Sequence, residues 1–405
     1  MSINSTVKVA LALTLAFSGG MLFPVPSMAT ENRVSALQAG TCTGFVKDAS
    51  GEAVTGAFVA VKGTNNGAVT GLDGEFSLDN VPEGSTLVIS FVGNTPSLFP
   101  GYIDSVARLG FPVYRAIGNH DMTYGGCTFE YSFKTFESFF GPCCFSFNKG
   151  KAHYIVLDNN FYVNRDYQYI GYIDERTFAW MEEDLKFVPE GSLVFVVMHI
   201  PGSLTPQIQW NALLQDETSN VSALYDMLKG YNAHIISGHT HFNLNVCPAD
   251  RMIEHNTAAV CGIWWKADIC MDGTPIGYGV YEVNGNDVVW RYKSAGYSDD
   301  YQMRTYPAGR CAEYLGDIVA NVWNWDDLWK VEWLEDGKNM GEMIHFTGYD
   351  PDAEAVCADK ERVVYDWISP VKTEHLFRAT PKNPDARIEV RVTDRFGNVY
   401  RQAVK

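Results

Sequence analysis

Between Cys42 and Gly93 the hydrophobic positions fall in short runs broken by turn residues. Phe58 to Val61 and Leu87 to Phe91 are apolar, β-rich runs, and Asn65-Asn66-Gly67, Asp73-Gly74 and Pro82-Glu83-Gly84 supply turn chemistry around them. This spacing predicts a small β-sandwich module over residues 40–94. From about Ser97 the pattern changes. Phe111 to Ile117, Tyr154 to Leu157, Leu193 to Met198 and His234 to Ser237 are short apolar runs of the kind found in interior strands. Between them Phe178, Met181 and Leu185 share one helical face. Val221, Leu224, Tyr225 and Leu228 share another, with Gly230 placed to end that helix. Alternating strands and helices predict an α/β domain over residues 97–298. Beyond Ser298 the helical pattern weakens. Ile388, Val390 and Val392 alternate with Arg387, Glu389 and Arg391 ahead of a turn at Phe396-Gly397-Asn398, which reads as a hairpin with one wet face. Residues 299–405 are therefore expected to form a β-rich domain. Its Trp323, Trp325, Trp329 and Trp333 suit either a sugar platform or core packing, and core packing is the commoner use.

The charge narrows the partners. The formal net charge is −17 and the isoelectric point is near 4.9. Such a surface repels nucleic acid and anionic membranes, so neither is expected as a partner. An anionic substrate would need local positive charge from a metal or a few arginines. The first residues read as an export signal over 1–29. Lys8 gives a thin positive region, Val9 to Phe17 is apolar, and Ser27-Met28-Ala29 is a small-x-small cleavage pattern. Gly19, Gly20, Pro24 and Pro26 interrupt the apolar run before the roughly 20 residues a membrane span needs. The expectation is an exported protein, periplasmic or associated with the cell envelope, with no membrane span after cleavage. The nine cysteines include no CxxC pair and no zinc-like spacing, and their pairing cannot be read from order alone.

Three short segments follow predicted interior strands. Gly118-Asn119-His120-Asp121 follows the run ending at Ile117, His199 follows Met198, and Gly238-His239-Thr240-His241 follows Ser237. Ligands bind at this edge of open α/β sheets because the loops converge there. Imidazole nitrogens and an amide oxygen suit divalent manganese, iron or zinc. Such an ion can lower the pKa of water to about 7, and an uncoordinated His beside it can protonate a leaving group. Taken singly, Gly-Asn-His-Asp also reads as a capping turn, and His199 as a strand-end histidine bonded to backbone. All three in this order, each after a strand, point to metal-assisted hydrolysis.

The order GNHD, H, GHTH is similar to the third, fourth and fifth motifs of the calcineurin-like metallophosphoesterases. The runs AAVCGIWWKADICMDGTPIGYGVYEVNG and NVWNWDDLWKVEWLEDG resemble an exported bacterial branch of that family with a β-rich C-terminal domain. The segment from Gly44 to Gly93 resembles the carboxypeptidase regulatory-like module, which also precedes the plug of many outer-membrane nutrient receptors. The resemblance implies a partial αββα sandwich flanked by two β-rich domains. It implies that Asn119, His199 and His239 ligate one metal and His241 the other. His120 would be the proton donor, with Asp121 orienting it. The family's upstream Asp-x-His and Gly-Asp-x-x-Asp motifs, which carry the bridging aspartate, have no counterpart here. No Asp-x-His occurs in the chain, and Gly316-Asp317 stands far downstream. The break is expected near Asn94 to Pro96. Metal occupancy is then reduced, and apolar surface should be left uncovered. Three expectations stay open. One is a phosphomonoester or phosphodiester hydrolase whose site is impaired or rebuilt, with Asp158, Asp104 or a second chain as replacement. Another is an inactive envelope protein that uses its β-domains for contacts. The last is a rearranged gene without a stable product.

Overall fold

The computed structural model describes residues 16–17, 39–47, 53, 58–62, 64, 66–71, 73–82, 85–90, 99–123, 129–164, 168–204, 213–363, 365, 367–383 and 385–404. Most of the expected leader, the junction at 94–96, Cys127 and Arg165 lie outside these. The chain divides into two compact units. The first is Met1–Tyr114 with Asn119–Gly141 and Tyr162–Tyr169, and the second is Arg115–Gly118 with Pro142–Phe161 and Ile170–Lys405.

The first unit holds two three-stranded antiparallel sheets. One pairs Ala39–Phe45 with Ala16–Phe17 on one side and Glu75–Pro82 on the other; the second pairs Phe58–Val61 with Gly67–Val69 and Leu87–Ser90. Alternation along Glu75–Pro82 turns Phe76 and Leu78 inward. They meet Cys42, Val59, Val61 and Val81 in one core, so the module is a sandwich. After it come the helix Phe99–Val106 and the helix Lys134–Phe140, joined through the Phe99 ring, whose centroid lies 4.7 Å from that of Phe140 and 5.3 Å from that of Phe139.

The strand expected at Phe111 to Ile117 does not form. Residues 112–118 run without ladder pairing, Phe111 is 62% exposed and Tyr114 55%, and Ile117 is fully buried. An apolar run becomes an interior strand only where a neighbouring strand takes its N–H and C=O groups. Both edges of the sheet described next belong to other segments.

In the second unit that sheet has six strands, in the order Leu244–Ala249, Met252–Asn256, Asn232–Ser237, Leu193–Val197, Ala152–Val156, Phe145–Lys149. The four inner strands are parallel and the two edge strands antiparallel. Alternation decides what covers each face. Val194, Val196, Ile155 and Ile235 pack against Met181 and Leu185 of the helix Glu175–Leu185 and Leu224 and Leu228 of the helix Val221–Leu228. Leu193, Phe195 and Ile253 face Val288 and Trp290 of an antiparallel hairpin, Gly277–Asn284 with Asp287–Ser294. The second helix stops at Leu228 with Lys229 as its cap, and Gly230 follows outside it.

Two four-stranded antiparallel sheets follow. One is ordered Arg304–Tyr306, Ile318–Asn321, Thr373–Ala379, Ile344–Gly348, and the other Lys338–Glu342, Lys330–Glu335, Ile388–Thr393, Val399–Ala403. Ala320 and Phe377 of the first meet Val331, Trp333, Val390 and Val392 of the second in a shared core. The hairpin read from Ile388, Val390 and Val392 is present, with Gly397 at φ 86° in its turn. Trp323, Trp329 and Trp333 are buried, so these tryptophans pack the core. The chain is strand-rich, with several sheets.

Candidate functional site

Parallel strands deliver their carboxyl ends to one edge, and in the second unit that edge carries the histidines. His199 lies two residues past Val197 and His239 two past Ser237. The two connections are tied together, since Gly238 N–H donates to the His199 carbonyl at 3.0 Å. Buried Asn159 clamps the first of them. Its Oδ1 accepts from the His199 and Ile200 N–H groups, both at 3.1 Å, while its Nδ2 donates to the Ile200 carbonyl at 2.6 Å. Buried Glu254 spans both connections, accepting from Gly202 N–H at 2.6 Å and the Ser237 hydroxyl at 2.9 Å. Burial pushes the Glu254 carboxyl above the usual carboxylate range.

This framework brings His199 and His239 together. His199 Nε2 and His239 Nδ1 are 3.1 Å apart, and His239 Nε2 lies 3.2 Å from Asp216 Oδ1. Gly118 lies against the His199 ring, where a Cβ would stand 3.1 Å from it, so the glycine leaves room for the imidazole. His239 and His241 both adopt positive φ, 70° and 59°. Thr240 N–H reaches back to the Gly238 carbonyl at 2.7 Å, and this tight loop sends the two histidines to different partners. His241 Nδ1 is 3.6 Å from Cys261 Sγ, and its ring stacks obliquely on Trp264.

Asn119, His120 and Asp121 form a short 3-10 turn in the first unit, where Asn119 is buried and its Nδ2 donates to the Tyr169 hydroxyl at 3.1 Å. The carboxylates considered as replacements have other places. Asp158 Oδ1 accepts from the Asn160 backbone N–H at 2.8 Å and Nδ2 at 3.1 Å, and Asp104 is exposed on the helix Phe99–Val106.

Asp216 belongs to no motif, and nothing around it in the sequence marks it. It ends a four-residue helix, Leu213–Asp216, in the connection between His199 and the helix Val221–Leu228. It is 8% exposed, and its Oδ2 is buried with no hydrogen-bond partner among the described residues. The only hint available was position: the connection leaves the same sheet edge as His199.

The arrangement suits a divalent ion in one respect. Nitrogens 3.1 Å apart match two metal–imidazole bonds of about 2.0–2.1 Å to one ion. A carboxylate on the far nitrogen of His239 is the outer partner a ligating imidazole ordinarily has. Among the described residues, no three His, Cys, Asp or Glu side chains form a group that could hold a metal. The fit is thus to a site with few protein ligands.

The other histidines serve packing. His234 and His255 stack between sheet and hairpin, 3.0 Å apart from Nδ1 to Nε2, and burial lowers the pKa of both. His153 bonds Asn148 and Asp184, His375 bonds Asn321 and Asp272, and His345 stacks on Trp325 and Phe377.

Residues 254–400 match the family described as the C terminal of Calcineurin-like phosphoesterase, and residues 42–101 match the CarboxypepD_reg-like domain. Over 60 residues, 15% of this chain, the sequence is 47% identical to the TonB-dependent receptor SusC of Bacteroides thetaiotaomicron, and the match spans 6% of that receptor's length. No helix among the described residues is long and apolar enough to cross a membrane.

Proposed function

We propose that this chain, which joins a CarboxypepD_reg-like domain to the C-terminal domain of calcineurin-like phosphoesterases, is an exported phosphoester hydrolase that works with one divalent ion. The observation that carries this reading is the paired imidazoles of His199 and His239, 3.1 Å apart, with Asp216 on the outer nitrogen. Asp216 accepting from His239 Nε2–H leaves the Nδ1 lone pair facing His199, the tautomer a metal ligand needs. His199 and His239 would hold the ion, and His241 stands two residues on. A divalent ion there would supply positive charge for an anionic substrate and lower the pKa of water. The roles of Asn119 as a further ligand, His120 as proton donor and Asp121 as its orienting group rest on the motif. The chemistry supports a phosphomonoester or phosphodiester. The module shared with a TonB-dependent receptor supports a place in the cell envelope.

The test is metal content by mass spectrometry on the full chain, produced with manganese, iron or zinc. About one ion per chain is expected, lost in His239→Ala. Asp216→Asn should weaken binding by about 10- to 100-fold, the usual cost of removing an outer-shell partner. Phosphodiester hydrolysis should fall in parallel. A second reading, an inactive envelope protein acting through its β-domains, is favoured because among the described residues no three His, Cys, Asp or Glu side chains form a group that could hold a metal. No bound ion in any of the three metals would decide for it.

A further inference from the structure

His241 is the inner end of a run of aromatic rings. Its centroid lies 4.5 Å from that of Trp264; Trp367 meets Trp264 edge-on at 5.1 Å and 78°, and Tyr365 lies 5.6 Å beyond. Trp264 and Tyr365 are anchored, because they pack on a core that includes Phe242, Ile263, Val363 and Ile368. Trp367, between them in the run, is 60% exposed, and Trp265, next in the chain after Trp264, is 79% exposed. Tryptophan is seldom left so bare, and an exposed aromatic patch beside a polar site marks a binding surface.

Two further features belong to this run. Trp264 and Trp265 hold φ of 49° and 62°, a region that bulky side chains avoid and that persists where a ligand clamp needs it. Gly262 imposes that path: its φ is 54°, and a Cβ there would sit 2.4 Å from the Ala267 carbonyl oxygen. The Trp264 indole N–H is buried with no hydrogen-bond partner among the described residues. A buried, unpaired donor is costly and suits an acceptor supplied from outside the chain. Arg362 Nε donates to the carbonyl of Lys266, which ties the loop after Trp265 to the segment that precedes Val363.

We infer that the rings form a subsite for the alcohol part of a phosphoester, one with a flat apolar face such as an aromatic ring or one face of a pyranose. The flat group stacks on Trp367, and the anionic group lies toward His241. This rests on the hydrolase reading and narrows its substrate class. Inorganic phosphate has nothing to place on the rings, so its binding should ignore them.

Calorimetric titration of the full chain with phenyl phosphate, adenosine, methyl glucoside and inorganic phosphate tests this. Trp367→Ala should weaken phenyl phosphate at least tenfold and leave inorganic phosphate within twofold, and Trp367→Phe should restore most of the loss. Adenosine and the glucoside separate the two kinds of flat face, and Trp367-dependent binding of either supports the subsite. These two carry no phosphate, so they report on the rings whether or not the chain hydrolyses anything. The inference is overturned if no probe's binding depends on Trp367, or if phenyl phosphate and inorganic phosphate weaken equally.

Discussion

His234 and His255 show how strongly surroundings decide what a histidine does. Both are buried between the sheet and the hairpin, with Trp290 edge-on to each at 5.4 Å and 5.0 Å. Burial, with the positive charge of Arg395 adding to it, lowers the pKa of His234 to about 4; the same causes and His234 itself hold His255 well below its ordinary value. The unfolded chain then binds protons that the folded one refuses. Stability is full above about pH 6.5 and falls as pH drops from there toward 4. For His234 alone the loss is about 3 kcal/mol. Urea midpoints should drop steeply between pH 7 and pH 5, and His234→Gln should flatten that slope; a flat profile in the parent chain would contradict the account. His199 and His239 are the same residue type, yet they stand just past strand ends with Nε2 of one 3.1 Å from Nδ1 of the other. Their candidate chemistry was legible as a motif. Asp216 was not, because it reaches the pair only through the path of a loop.

At the scale of elements, local signals and tertiary partners carry different weights. The helix Pro351–Ala358 starts at Asp350, whose Oδ1 accepts from the N–H groups of Asp352 and Ala353, both at 3.0 Å. An Asp-Pro pair at a helix start is a local signal. The same carboxylate also accepts from the Tyr306 hydroxyl at 2.7 Å and Asn321 Nδ2 at 2.8 Å, and Gly273 at φ 82° leaves it space. Asp350→Ala removes a cap and strands two buried donors. A loss of about 3 kcal/mol is expected, seen as a lower denaturant midpoint, against the roughly 1 kcal/mol of a cap alone. The runs at Leu193 and Asn232 became strands because each found parallel neighbours. The run at Phe111 has a comparable pattern and found none, so its rings remain in water.

That exposure matters for the molecule as a whole. In the first unit Tyr102, Leu109, Phe111, Tyr114, Tyr131 and Phe139 are each more than 40% exposed. Apolar side chains gathered along one stretch of chain favour self-association. Replacing Phe111 and Tyr114 by Ser should lower light scattering at a given concentration and leave the thermal midpoint nearly unchanged, since neither side chain is buried. An unchanged scattering curve would show that other surfaces drive association.

By itself the sequence determined the kinds of element and the boundaries of composition. Period-two and helical repeats mark the sandwich module, the strands at 152–156, 193–197 and 232–237, both helices of the sheet layer and the hairpin at 388–403. These depend on neighbours close in the chain, where side-chain direction follows backbone geometry. It also marked His199, His239 and His241, because a turn after a strand is a local feature. Only the tertiary structure decided that His239 turns to Asp216 and His241 to Cys261 and Trp264, and that Phe111 stays outside the sheet. Each of those outcomes needs a partner distant in sequence, and no periodicity records where a chain will return.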